Sequence, residues 1–298
     1  TPEYYAYLKV AEGCDNRCTY CAIPSIRGHF RSRPMDELVE EAKNLEKLGV
    51  KELCVIAQDT TRYGSDLYGE YKLHIIGPRA TDLICEGALA IGGEMTLDEL
   101  IATIRDNPRV LKYIDLPIQH ISDDILRRMN RRGDGRLVRD VVKKLRDSIP
   151  GVIIRTTVIV GFPGETEEEF NELCEYVKEA KFDRLGAFTY SREEGTPAYD
   201  FPDQIDEQVK QDRCDIIMDE QNRISAELNE KRIGSVMDVL CEGYDPVSEA
   251  YFGRSENDAP EIDGKVYFKA PKNSVRDGEM VRVKITEAVD YDLVGDKI

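Results

Sequence analysis

A full or partial (β/α) barrel followed by a small all-β barrel is the fold class that this sequence predicts. Three observations predict it. Apolar runs of strand length alternate with charged stretches of helical period over roughly the first 190 residues. A long, strongly charged helical stretch follows, and from Ser235 onward the pattern breaks into five short alternating runs separated by Gly- or Pro-containing turns.

The strand-like runs are YAYLKV (5–10), ELCVIA (52–57), VLKYIDLPI (110–118), VIIRTTVIV (152–160) and RLGAFTY (184–190). Runs this uniformly apolar suit parallel strands buried on both faces. Helices are expected at Met35–Leu48, Asp98–Arg105, Asp123–Asn130, Leu137–Ile149 and Thr166–Ala180, the last opening with an acidic turn that suits the helix dipole. Residues 203–232 read as a long helix leaving the barrel, with apolar positions at Ile205, Val209, Ile216, Ile217, Ile224 and Leu228. The last runs, VMDVLCEG, AYFGR, KVYFKA, MVRVKITEA and YDLVG, suit a five-stranded barrel of the oligonucleotide/oligosaccharide-binding type. The expected domains are 1–224, which includes the exit helix from about residue 203, and 233–298. In a (β/α) barrel the functional groups belong at the C-terminal strand ends.

No window approaches the roughly 18 consecutive apolar residues of a membrane helix, and TPEYYAYLKV lacks the layout of a signal peptide, so the expected location is the cytoplasm. The start at Thr1 suggests an excised fragment. The net charge of −17 makes nucleic acid a poor partner and a basic protein a better one, although acidity also serves solubility.

Of the eight cysteines, Cys54, Cys85, Cys174, Cys214 and Cys241 are scattered singly and read as small buried apolar residues. Cys14, Cys18 and Cys21 lie within eight residues as C-x3-C-x2-C on a loop that also holds Gly13, Asp15 and Asn16. Iron–sulfur clusters are normally held by four cysteines, so three can leave one iron open to a non-protein ligand. Structural zinc is the competing metal, but it needs a fourth protein ligand and His29 stands at no customary spacing.

The spacing, with Tyr20 just before the last cysteine, resembles the signature of the radical S-adenosylmethionine (SAM) superfamily. The resemblance implies a 4Fe–4S cluster whose open iron chelates SAM, and one-electron cleavage of SAM to methionine and a 5′-deoxyadenosyl radical. Candidate SAM contacts are then Gln58 and Asp59 after the second strand, Gln119 after Pro117, Tyr20 beside the adenine, Arg155 for the carboxylate, and Gly161 in GFPGET. Helix caps, loop bonds and, for Arg155, a structural salt bridge are the plainer alternatives. Gly92-Gly93-Glu94 matches an amine-binding motif of the superfamily but stands away from the end of the second strand, and is read as a turn.

The strings EGCDNRCTYCAIPSIRGHFRSRP (12–34), AQDTTRYGSDLYG (57–69), YIDLPIQHISDDILRRMNR (113–131), RTTVIVGFPGETEEEF (155–170) and FTYSREEGTPAY (188–199) are similar to the methylthiotransferases. Gln58-Asp59 and Gln119-His120 match the branch acting on the β-carbon of an aspartate in ribosomal protein S-twelve, rather than the branch acting on a tRNA adenosine. The final β-domain resembles a TRAM domain. With 10 Lys+Arg and 14 Asp+Glu over 231–298 it suits a basic ribosomal protein better than RNA, and Tyr251, Phe252, Tyr267 and Phe268 alternate as core strands would.

Two departures stand out. The family carries an N-terminal domain with three more cysteines and a second 4Fe–4S cluster where the added sulfur is handled, so this chain is expected to cleave SAM and not to complete methylthiolation alone. In His74–Thr96 neither the expected helix nor the expected strand is evident. An electron donor is a further implied partner.

Overall fold

The computed structural model describes residues 3–68, 84–86 and 97–298. The chain opens with β1 (Tyr5–Lys9), β2 (Ala11–Glu12), α1 (Ile23–Arg27), β3 (Arg31–Ser32), α2 (Met35–Lys47), β4 (Glu52–Ile56), α3 (Ser65–Tyr68) and β5 (Ile84–Glu86). It continues through α4 (Leu97–Asp106), β6 (Tyr113–Asp115), α5 (Asp123–Arg128), α6 (Gly135–Ser148), β7 (Ile153–Val160), α7 (Glu167–Ala180), β8 (Arg184–Thr189) and α8 (Glu207–Glu230). The last strands are β9 (Val236–Asp245), β10 (Ala250–Ser255), β11 (Val266–Lys269), β12 (Met280–Val289) and β13 (Asp292–Lys297).

Strands β1, β4 and β5 pair in parallel, as do β6, β7 and β8, so the described barrel wall is two three-stranded parallel sheets. The period of two sorts their side chains. Leu8, Leu53 and Val55 pack with α2 through Leu38 and Ala42, while Ile154, Val158, Val160 and Leu185 pack with α6, α7 and α8. The alternate residues Tyr7, Ile56, Arg155, Thr157, Ile159 and Phe188 therefore turn to the concave face. Phe188 is 58% exposed there, a large apolar side chain without protein cover.

Two expectations change. The run at 110–118 forms a strand of only three residues, because Pro117 has no N–H to donate; the chain still follows β7, and Gln119 re-pairs with Val158. Within His74–Thr96, Ile84–Glu86 adds a third parallel strand beside β4, whereas Gly92-Gly93-Glu94 lies outside the described residues.

The C-terminal strands close into a barrel in the order β10-β11-β13-β12-β9. Tyr251 and Phe268 stack in its core with ring centroids 5.5 Å apart. Phe252 and Tyr267, next to them in sequence, face outward with Lys265 Nζ 4.5 Å over the Phe252 ring. This is the alternation expected from the sequence, the period of two sending each neighbour to the other face.

This small barrel caps the N-terminal end of the large one. Arg254 on β10 reaches Glu52, the first residue of β4, at 2.5 Å and Glu242 at 2.7 Å, with Arg254 and Glu52 both buried. Arg184, the first residue of β8, pairs with Asp258 at 2.6 Å, while Tyr113 of β6 and Tyr5 of β1 donate to Asp263 and Glu261, each at 2.6 Å. Burial disfavours the Arg254 charge, and the two carboxylates outweigh it and raise its pKa above the ordinary value. Arg254→Ala strands two carboxylates and is expected to cost about 3–5 kcal/mol. Glu261→Gln, at an exposed carboxylate, should cost about 1 kcal/mol or less. Urea unfolding of the two variants checks this, and equal midpoints would refute the capping role of Arg254.

Candidate functional site

The cysteine loop leaves β2 and has no regular structure of its own, so its shape comes from what grips it. Gly13 has φ +78°, and a Cβ there would stand 2.2 Å from the His29 carbonyl oxygen, so only glycine fits. The Cys14 amide then donates to the Gly28 carbonyl at 3.2 Å, and Cys21 N–H to Cys18 O at 3.1 Å. From the β4 side, Asn16 Nδ2 donates to Asp59 at 2.9 Å.

The C-terminal turn of α5 grips the loop from the other side. Thr19 donates its amide to Met129 O at 3.0 Å and its hydroxyl to Arg128 O at 2.7 Å, while Asn130 Nδ2 donates to Arg17 O at 2.9 Å. Ala198 N–H binds Thr19 O at 2.9 Å. Ser122 caps α5 by accepting from Ile125 N–H, and it donates to Glu169 at 2.9 Å. Glu169 also completes the capping box of α7.

Cys14, Cys18 and Cys21 are half-buried and free of disulfides. Among the described residues no group of three or more His, Cys, Asp or Glu side chains is gathered around a single point. Three thiols free of disulfides on one loop held from both sides suit the chemistry of a 4Fe–4S cluster with three protein ligands. Burial pushes the Cys21 thiol pKa up. Tyr20 packs against the cluster that includes Ile125, Met129, Phe162 and Tyr190; burial and then the neighbouring Cys18 sulfur hold the phenol well above its ordinary range.

The other predicted contacts divide. Asp59 joins the cysteine loop through Asn16 and accepts from Thr61 N–H at 3.1 Å, so it is also the cap that the plainer alternative foresaw. Gln58 is exposed beside it on the bend after β4. Gln119 is buried with φ +69°, a left-handed backbone uncommon for a side-chain-bearing residue, held by its bonds to Thr157 O and Ile159 N. Arg155 is half-buried within β7. It pairs with Asp115 across β6 and β7 at 2.7 Å, about 10 Å below the level where Gln119 meets Val158. The salt bridge is what the structure holds.

Gly161 likewise serves the fold. Its amide donates to Glu165 at 2.9 Å, and a Cβ would stand 2.3 Å from the buried stem of Lys210. Glu165 is the residue that sequence reasoning missed. Its buried carboxylate takes the amides of Gly161 and Phe162 and the Arg213 guanidinium at 2.7 Å from α8. His120 Nε2 stands 3.6 Å away, and its Nδ1 accepts from Ser122 N–H, which leaves the ring proton on Nε2. The signal was present: a carboxylate four residues after Gly161, ahead of a helix with its own acidic turn, is free to fold back on the turn.

The profile of the radical SAM superfamily matches residues 8–177, and that of the TRAM domain matches residues 233–298. The ribosomal protein uS12 methylthiotransferase RimO of Desulforamulus reducens is 51% identical over 99% of this chain and 67% of its own length. The chain belongs to the RimO family of radical SAM methylthiotransferases. RimO of Pelotomaculum thermopropionicum is 49% identical over 100% of the chain and 68% of its own length, so this chain spans about two thirds of these relatives. Among solved structures, coproporphyrinogen III oxidase HemN from Escherichia coli, described as a radical SAM enzyme, shares the fold at TM-score 0.50 and 16% identity, over 76% of this chain and 53% of that one.

Gly13→Ala is expected to lose most of the iron that the unmodified protein takes up on anaerobic reconstitution, with circular dichroism unchanged, because only the loop must move. Glu165→Ala should cost about 3 kcal/mol by leaving the largely covered Arg213 without its partner. Iron analysis and urea unfolding read the two outcomes.

Proposed function

We propose that this chain is the SAM-cleaving and substrate-orienting part of an enzyme that places a methylthio group on the β-carbon of an aspartate in ribosomal protein uS12. The carrying observation is the cysteine loop: three free thiols held from the end of β4 and from the end of α5, in a chain about half identical to proteins named for that activity. Cys14, Cys18 and Cys21 would hold three irons of a 4Fe–4S cluster, leaving the fourth for the amino and carboxylate groups of SAM. When bound, the pair supplies reductive cleavage of SAM to methionine and a 5′-deoxyadenosyl radical.

The chain's own residues then position and shield. Asp59 and Gln119, from the ends of β4 and the β6 segment, and Gln58 beside them, offer polar groups for SAM. Tyr20 fixes Cys18 and closes the adenine side. Ile56, Ile159 and Phe188 give the concave face an apolar lining near the C-terminal strand ends, which keeps water from a radical. The basic uS12 substrate suits the overall charge of −17. Sulfur delivery is assigned to a second 4Fe–4S cluster on the part of the relatives' length that this chain does not span. The reading places the protein in the cytoplasm with the ribosome; among the described residues no helix is long and apolar enough to cross a membrane.

Reconstituted protein with dithionite and SAM is expected to release 5′-deoxyadenosine, and Cys18→Ala to abolish it. A Cys18→Ala variant that still made deoxyadenosine would sink the assignment. For the substrate, the same chain joined to the remaining third of its relatives should leave a methylthio mass on uS12; the mass on tRNA instead would reverse it.

A further inference from the structure

We infer that the cleft at the junction of the two barrels is a binding site for a small phosphate monoester, with Arg232 and Arg146 as its cationic walls. The cleft holds about 470 Å³ and lies at the N-terminal ends of the strands, away from the cysteine loop. Four segments line it: the end of α6 with Arg146 and Ile149, the turn into β7 with Gly151 and Val152, Arg232 just after α8, and Glu256 just after β10. The first two belong to the large barrel and the last to the small one. A ligand seated here touches both.

Arg232 carries the inference. A guanidinium is ordinarily drawn out of water only against an anion. Arg232 is half-buried, yet among the described residues its side chain has no hydrogen bond and no ion pair, and its Nη1 is covered without an acceptor. Its backbone already holds the turn, donating to Asn229 O at 2.9 Å and accepting from Ser235 N–H at 3.0 Å, so the side chain is not needed there. Burial, reinforced by the Arg184 charge, outweighs Asp258, Asp183 and Glu256 and lowers the Arg232 pKa, the reverse of Arg254. Those carboxylates serve elsewhere. Asp258 pairs with Arg184 at 2.6 Å and accepts from the Ser255 hydroxyl, Asp183 pairs with Arg146 Nη2 at 3.2 Å and accepts from Ile154 N–H at 3.0 Å, and Glu256 stands exposed at the rim. Arg146 also gives Nη2 to the carbonyls of Ala180 and Lys181, which leaves its covered Nε without an acceptor. Two guanidinium groups on separate elements thus keep unfilled donors along one cleft. The tetrahedral oxygens of a phosphate reach both forks, whereas a planar carboxylate fills one. The cleft is much larger than a phosphate ion, which leaves room for the esterified body.

Thermal unfolding of the anaerobically reconstituted protein tests this, with glycerol 3-phosphate and inorganic phosphate as probes against chloride and acetate at matched ionic strength. Glycerol 3-phosphate at about ten times its half-saturating concentration is expected to raise the midpoint by about 3 °C. Inorganic phosphate should need a several-fold higher concentration, and acetate should give no saturable shift. Arg232→Gln should remove the shift and yet unfold in chloride no lower than the unmodified protein, because no partner is lost. Glu256→Gln takes a negative charge from the rim and should lower the half-saturating concentration several-fold. A shift that persists in Arg232→Gln, that never saturates, that ignores Glu256→Gln or that acetate reproduces overturns the site. So does an Arg232→Gln midpoint several degrees lower in chloride, which would reveal a counter-ion within the chain. Inorganic phosphate saturating as readily as glycerol 3-phosphate overturns the assignment to an ester.

Discussion

The carboxylate of Glu165 is the contact on which the rest of the site depends. It is fully buried, and such a charge persists only when its lone pairs are filled. Filling them ties three elements together. The amides of Gly161 and Phe162 fix the turn after β7, Arg213 anchors α8 to the same point, and His120 lies against it from the segment after β6. His120 in turn receives the Ser122 amide, Ser122 caps α5, and the end of α5 holds the cysteine loop. A loop without secondary structure thereby inherits the rigidity of the barrel wall.

The same logic operates at the other end of the barrel with a different purpose. Parallel strands leave a row of first residues at their N-terminal end, and here Tyr5, Glu52, Tyr113 and Arg184 meet Glu261, Arg254, Asp263 and Asp258 of the small barrel. Buried ion pairs add little net stability but penalise every misaligned arrangement, because a stranded charge costs several kcal/mol. The cap thus sets the position of the small barrel relative to the strands.

Legibility in the sequence followed physical range. Strands β1, β4, β7 and β8 and the helices α2, α4, α6, α7 and α8 were readable because burial on two faces or on one stripe is a local pattern. The three cysteines stand out in the sequence because they lie within eight residues. What escaped was tertiary. Arg155 looked like an anion receptor within its own strand, and its partner Asp115 becomes visible only once the register of β6 against β7 is known. Gly161 looked like a ligand-facing glycine, yet the stem of Lys210, 49 positions later, occupies the space a Cβ would need. The grips on the loop by Thr19, Asn16 and Asn130 involve ordinary polar residues whose role exists only across the fold.

Charge counting needs the same correction. The net of 10 basic and 14 acidic residues over 231–298 suggested a surface suited to a basic protein. Glu242, Asp258, Glu261 and Asp263 from that count bind Arg254, Arg184, Tyr5 and Tyr113 within the chain, so part of the acidity is structural. Removing committed charges lowers the weight of the small barrel in the argument for a basic substrate. Net charge informs about partners only after the charges already spent on folding have been set aside.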